Sequence, residues 1–117
     1  PKDDTPGCTK EASGFRDENK KFNKKNTFII GISKDSLKRH QKFIDKYDLN
    51  FTLASDEESN ICEKFDVWKE KSMYGKKYMG IERSTFLIDS KGILIKEWRK
   101  VKVKNHVEEV LAEVNNL

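Results

Sequence analysis

Apolar positions along the chain fall into short runs between polar turns, and their spacing alternates between helix and strand periods. From Thr9 to about Lys24 the residues favour a helix, with Ala12, Phe15 and Phe22 set among many charges. Thr27-Phe28-Ile29-Ile30-Gly31-Ile32 is a compact, β-branched apolar run and predicts a buried strand. Ser33 or Asp35 then caps a helix carrying Leu37, Phe43, Ile44 and Tyr47 near one face. Phe51-Thr52-Leu53 predicts a short strand, and Asp56 or Ser59 opens a helix bearing Ile61, Cys62 and Phe65. Residues 66–82 mix Trp68, Met73, Tyr74, Tyr78 and Met79 with two glycines and read as a loop or hairpin excursion. Ser84 to Ile88 predicts a second buried strand. Asp89-Ser90-Lys91-Gly92 forms a turn, and Ile93 to Trp98 alternates as the hairpin partner. Asn105 caps a last helix with Val107, Val110, Leu111 and Val114 at helical spacing.

That order argues for an α/β fold, a sheet with helices on both faces, in a single domain spanning 1–117. Only two strands look strongly buried, which is thin for such a sheet. One more central strand ahead of Pro1 is expected, so the domain reads as N-terminally incomplete. Pro1-Lys2-Asp3-Asp4 holds neither an initiator Met nor a targeting signal, and an upstream signal stays open.

Composition narrows the function classes. Hydrophobic content is 35% against 38% charged residues, as expected of a soluble, well-hydrated protein. The longest apolar runs are far too short to span a bilayer. The net charge of +4 comes mostly from lysines dispersed among 20 acidic residues, so no continuous basic stripe marks a nucleic-acid binder. The densest cluster is Lys20, Lys21, Lys24 and Lys25. It reads as a solvated helix face whose lysines favour the helix C-terminus, with contact to phosphate or an acidic partner as the functional alternative.

Two widely separated cysteines, Cys8 and Cys62, are neither a secreted disulfide framework nor a zinc site, which needs short paired spacings. His40 and His106 lie near neither in sequence. A reactive thiol in a reducing compartment, the cytoplasm, fits better. Cys8 stands at the predicted helix start, directly after Pro6-Gly7, where backbone N–H groups and the positive helix end stabilise a thiolate. Thr5 and Thr9 add nearby hydroxyls. On position alone, an inert buried thiol is the more ordinary reading.

The flanking residues reverse that reading. Pro1, Thr5 and Cys8 form Pro-x-x-x-Thr-x-x-Cys within PKDDTPGCTKEASGFRD. This segment resembles the active site of the peroxiredoxins, specifically the bacterioferritin-comigratory or peroxiredoxin Q subfamily. The resemblance continues through Gly31-Ile32-Ser33-Lys34-Asp35-Ser36, His40-Gln41-Lys42-Phe43, Phe65-Asp66-Val67-Trp68, Lys71 to Lys76 and Arg83 to Asp89, essentially the whole chain. It implies a thioredoxin-like fold with a mixed central sheet. By the same resemblance, Cys8 is the peroxidatic cysteine and Thr5 bonds the peroxide and the thiolate. Pro1 shields the sulfur from water, and Arg83 holds the thiolate and polarises the peroxide. Each role suits its chemistry, because displacing an alkoxide needs in-line approach and donors aimed at the developing negative charge. Arg83 offers a fixed plane of donors and is one of only four arginines; without the match it would be a surface residue opening a strand.

Many subfamily members carry a second cysteine five residues after the first, where this chain has Ser13. Residues five apart on a helix stand roughly 8 Å apart along its axis, too far for a disulfide unless the helix unwinds. Serine cannot complete a two-cysteine cycle. Either Ser13 replaces a cysteine by engineering, or the chain is a one-cysteine enzyme whose sulfenic acid is reduced by an external thiol. Cys62, between Ile61 and Phe65, reads as a structural cysteine rather than a resolving one. His40 reads as a structural hydrogen-bonding group. Glu11, Arg16 and Asp17 form either a network steadying Cys8 or ordinary surface pairs. Trp68, Met73, Tyr74, Tyr78 and Met79 read as core and loop packing, with a hydroperoxide pocket or partner surface as the alternative.

The expectation is therefore a peroxidase acting on hydrogen peroxide and organic hydroperoxides, with no metal, haem or flavin. The resemblance implies recycling by thioredoxin or a similar thiol; a monomer or weak homodimer is expected. Its rivals are a thiol–disulfide oxidoreductase, which the absence of any Cys-x-x-Cys pair opposes, and a redox-responsive binding module.

Overall fold

The structure, a computed structural model, describes residues 5–117. The longest element is α1 (Pro6–Lys24). Its buried residues Ala12, Phe15, Asn19 and Phe22 recur at three- and four-residue steps and so share one stripe. The helix begins three residues earlier than Thr9. Pro6 occupies its first position, where the missing N–H costs nothing and the fixed φ suits a helix.

Two parallel strands follow, β1 (Ile30–Ser33) and β2 (Thr52–Ser55), joined through α2 (Leu37–Tyr47). Ser36, rather than Ser33 or Asp35, caps α2, its Oγ accepting the Arg39 N–H at 3.2 Å. Strand β1 is shorter and more open than its sequence implied: Ile30 is 62% exposed and Phe28 lies outside the strand, also exposed. Its apolar run is matched on only part of its surface, here by β2. Ala12, Phe43 and Leu49 form a core with Ile44, Tyr47, Phe51 and Leu53 packed against it.

Helix α3 is a single turn, Ile61–Lys64, with Asn60 rather than Asp56 or Ser59 at its cap and Phe65 just beyond its end. The 66–82 excursion is an antiparallel hairpin, β3 (Trp68–Met73) and β4 (Lys76–Ile81). A second hairpin joins β5 (Thr85–Ile88) to β6 (Leu94–Trp98), with a register irregularity at Leu87/Ile88. Of β5, Leu87 is buried while Ile88 is exposed. The Asp89 carboxylate accepts the N–H groups of Lys91 and Ile93, each at 2.9 Å, and Gly92 supplies the positive φ the turn needs. Helix α4 (His106–Asn115) starts after Asn105, which adopts φ 63° and makes no side-chain cap bond.

The chain divides into two compact units, one formed up to Ser59 together with Val103–Leu117, the other by Asn60–Lys102. In the first, α1 packs on α4, with the Phe15 ring edge-on to buried His106 at 6.3 Å. In the second, Cys62, Val67 and Ile81 form the core, with Trp68 and Phe86 against them. Arg99 pins this unit by donating to the carbonyls of Phe65 (2.8 Å) and Asp66 (2.9 Å) while lying over the Phe86 ring.

Candidate active site

Cys8 is the third residue of α1 and is half-buried. The helical ladder begins with the Thr9 N–H donating to the Thr5 carbonyl at 2.8 Å, so the amides of Gly7 and Cys8 lie ahead of the first ladder bond. Those amides and the positive helix end favour negative charge on a group in this first turn. Thr5 is the N-cap residue, in extended backbone (φ −85°, ψ 154°), yet its side chain makes no capping bond to the helix. Thr5 and Cys8 thus share one helical turn. Pro1 lies outside the described residues.

Arg83 belongs to the second unit. It sits between β4 and β5, half-buried, on a segment held from both sides. The Glu82 N–H donates to the Val67 carbonyl at 2.7 Å, and the Arg83 carbonyl accepts the Val101 N–H at 2.9 Å. A guanidinium on such a fixed backbone spends less conformational freedom when it binds an anion.

Ser13 lies in the intact helix, half-buried. Cys62 is 3% exposed inside the apolar core of its unit, matching the structural role. His40 is buried, its Nε2 at 3.2 Å from the Ala54 carbonyl, a structural contact between α2 and β2. Arg16 pairs with Asp17, but it also donates to the Tyr47 carbonyl at 2.6 Å and so ties α1 to the end of α2. Beside it the Asn19 amide donates to the Asn50 carbonyl at 2.9 Å, and Asn50 donates back to the Arg16 carbonyl at 3.2 Å. These bonds anchor the helix that carries Cys8. Lys20, Lys21, Lys24 and Lys25 are all exposed, Lys21 pairing with Glu18. Packing does not account for the hairpin apolars: Trp68 is half-buried against the core, whereas Met73, Tyr74, Tyr78 and Met79 are exposed.

One cluster escaped the sequence reading. Ser33, Asp35, Asp56 and Ser59 looked like helix caps, yet they form a polar network at the ends of β1 and β2. Asp56 is fully buried, takes the Lys34 ammonium at 3.0 Å and the Ser59 hydroxyl, and its N–H donates to the Ser33 carbonyl. The Ser33 hydroxyl donates to Asp35, whose carbonyl accepts the Ser55 hydroxyl. The Ser33–Asp35 and Asp56–Ser59 bonds are local, but the two halves of the network meet only through parallel pairing of distant strands.

The AhpC/TSA family matches residues 1–97. Peroxiredoxin Bcp of Bacillus subtilis is 56% identical over the whole chain, which covers 74% of that protein. A putative peroxiredoxin bcp of Coxiella burnetii is 54% identical over 97% of this chain and 76% of its own length. The bacterioferritin comigratory protein of Xanthomonas campestris, studied structurally for alkyl peroxide reduction, superposes with a TM-score of 0.93 at 46% identity, covering 99% of this chain and 74% of its own. This likeness extends to the fold, so the architecture is that of the thioredoxin-like peroxiredoxin structures. Among the described residues no helix is long and apolar enough to cross a membrane. Matched in sequence and in fold over nearly its full length, the chain belongs to the AhpC/TSA family, among the Bcp peroxiredoxins.

Proposed function

We propose that the chain is a thiol peroxidase in which the Cys8 thiolate attacks the terminal oxygen of hydrogen peroxide or an organic hydroperoxide. The observation that carries this reading is the placement of Cys8 in the first turn of α1, within one turn of the Thr5 N-cap residue. In the attack an S–O bond forms as the O–O bond breaks. Sulfur is oxidised to the sulfenic acid, and the leaving alkoxide or hydroxide takes a proton to become alcohol or water. Backbone amides at the helix start hold the thiolate, Thr5 bonds the peroxide, and Arg83 meets the charge developing on the leaving oxygen. Pro1 is the shielding residue by family resemblance alone.

With Ser13 at the resolving position, the sulfenic acid is consumed by an external thiol. Condensation releases water and gives a mixed disulfide, which a second thiol then cleaves to restore Cys8. Thioredoxin or a similar protein thiol serves as donor, in a reducing compartment such as the cytoplasm, to a monomer or weak homodimer. The family match runs through the sequence of both compact units, which favours one catalytic domain over 1–117.

The test is rapid mixing with hydrogen peroxide, following Cys8 by mass spectrometry of the quenched protein. One oxygen is expected on Cys8, and Arg83→Ala is expected to slow its addition about 10²–10³-fold, the scale of losing a preorganised donor. Peroxide consumption by Cys8→Ala at the parental rate would sink the proposal.

A further inference from the structure

We propose that the β3–β4 hairpin is the docking surface for an acidic protein thiol that regenerates Cys8; this rests on the peroxidase reading. The pairing register puts Lys69, Lys71 and Met73 on one face, opposite Gly80, Tyr78 and Lys76. That face carries three lysines and no carboxylate. Lys71 and Lys76 form no ion pair among the described residues. Lys69 pairs with Asp66, beyond the hairpin, and on the other face Lys77 stands 4.0 Å from Glu70. The charge extends beyond the hairpin: Asn60–Lys102 holds eleven lysines and arginines against six acidic residues, whereas the rest of the chain is close to neutral.

The hairpin also displays apolar surface that packing leaves uncovered. Met73, Tyr78 and Met79 are about half exposed, and Tyr74 at the tip is 98% exposed. Tyr74 and Gly75 both have positive φ, 52° and 77°. A two-residue turn of this kind favours Asn-Gly, and a bulky aromatic at its first position is disfavoured. The hairpin thus tolerates an unfavourable backbone to hold an aromatic ring in water. On the lysine face, Met73 and Tyr78 beside Lys71 and Lys76, with Tyr74 at the tip, compose the anchor-and-rim arrangement of a protein interface.

The chemistry says which macromolecule must come. A peroxide is small and uncharged, so it needs no patch of this kind. The sulfenic acid needs two electrons from thiols, Ser13 supplies none, and Cys62 is shut in a core. An external thiol is therefore required at every turnover, and an exposed patch of this extent suits a protein thiol rather than a small one. An acidic rim around an apolar patch on that protein complements Lys71 and Lys76 on this face, with Lys77 adding charge beside the Tyr74 tip from the other. Docking there raises its effective concentration on the enzyme.

The probe is thioredoxin, kept reduced by its reductase, against the full chain carrying Tyr74→Asn, Lys76→Glu and Lys77→Glu. Lys71 is retained because its stem packs over Gly80. Single-turnover oxidation of Cys8 and turnover on dithiothreitol should match the parent within about twofold. The kcat/KM for thioredoxin should fall about tenfold at low ionic strength, with the gap narrowing in high salt. An unchanged thioredoxin dependence would overturn the proposal, and loss of binding to anionic vesicles alongside it would reassign the patch to lipid. Equal losses on thioredoxin and dithiothreitol would overturn it as well. If the triple variant folds poorly, Tyr74→Asn alone, which suits a positive φ, decides the question by the same comparison. A parent that leaves Cys8 unoxidised would instead refute the peroxidase reading, before any variant is made.

Discussion

Gly14→Ala should change sign with its partner. Gly14 lies mid-helix in α1, one residue after Ser13, where α4 comes close. On helix propensity alone, alanine there is worth about 1 kcal/mol. The added Cβ, however, would stand 2.9 Å from Cγ2 of Val107, a side chain only 5% exposed. Carbon atoms sit best at about 3.5–4.0 Å, so the overlap exceeds roughly half an ångström. Val107 is β-branched on a helix and has essentially one χ1 well, so it cannot swing aside. Overpacking of this kind costs about 1–3 kcal/mol, leaving Gly14→Ala destabilising by about 1 kcal/mol. Val107→Ala alone should cost about 2 kcal/mol through the cavity it opens. It also removes the clashing atom, and the next neighbour, the Cβ at 3.7 Å, is in ordinary contact. In that background Gly14→Ala should stabilise by up to about 1 kcal/mol. The assay is urea unfolding of the four proteins, followed by helical circular dichroism and read as a double-mutant cycle with a coupling of about 2 kcal/mol. If Gly14→Ala shifts the midpoint equally in both backgrounds, close approach of α4 is not why glycine stands there.

Lys34→Met should destabilise the first unit by about 3 kcal/mol, because it strips the ammonium from fully buried Asp56, and Lys34→Arg should lose much less. Chemical denaturation at neutral pH checks both. The Asp66 carboxyl titrates below its ordinary value of 3.8, held down by the Lys69 hydrogen bond and charge against opposing desolvation, with Arg99 adding a smaller lowering effect. A depressed folded value means the pair supports the fold above pH 3.8 and loses that support as pH falls through the lower folded value. Stability curves of the parent and Lys69→Met should therefore converge at acid pH, and the Asp66 carboxyl resonance should move up in pKa in the variant. Curves that run parallel down to acid would contradict this.

Local chemistry was legible without coordinates. The Ala12–Phe15–Asn19–Phe22 stripe and the Asp89–Gly92 turn depend on residues within a few positions of one another, so periodicity and turn preference suffice, whereas 66–82 was readable only as a loop or a hairpin because Tyr74 is an unfavourable turn residue. Cys8 was legible as a residue at a helix start, although the structure opens the helix at Pro6 rather than at Thr9. Longer-range outcomes were not legible. Ser33, Lys34, Asp35, Asp56 and Ser59 meet only because β1 and β2 pair in parallel, and that meeting turned apparent helix caps into a buried ionic network. Whether an apolar residue is covered also depends on surfaces distant in sequence, so β1 displays Ile30 although its run reads as core, and the hairpin displays Tyr74. A sequence thus determines its helical stripes, its turns and the first-turn setting of Cys8, since those energies are local. Tertiary structure decided burial, ion pairing and the fixed backbone at Arg83, because each is a property of two segments at once.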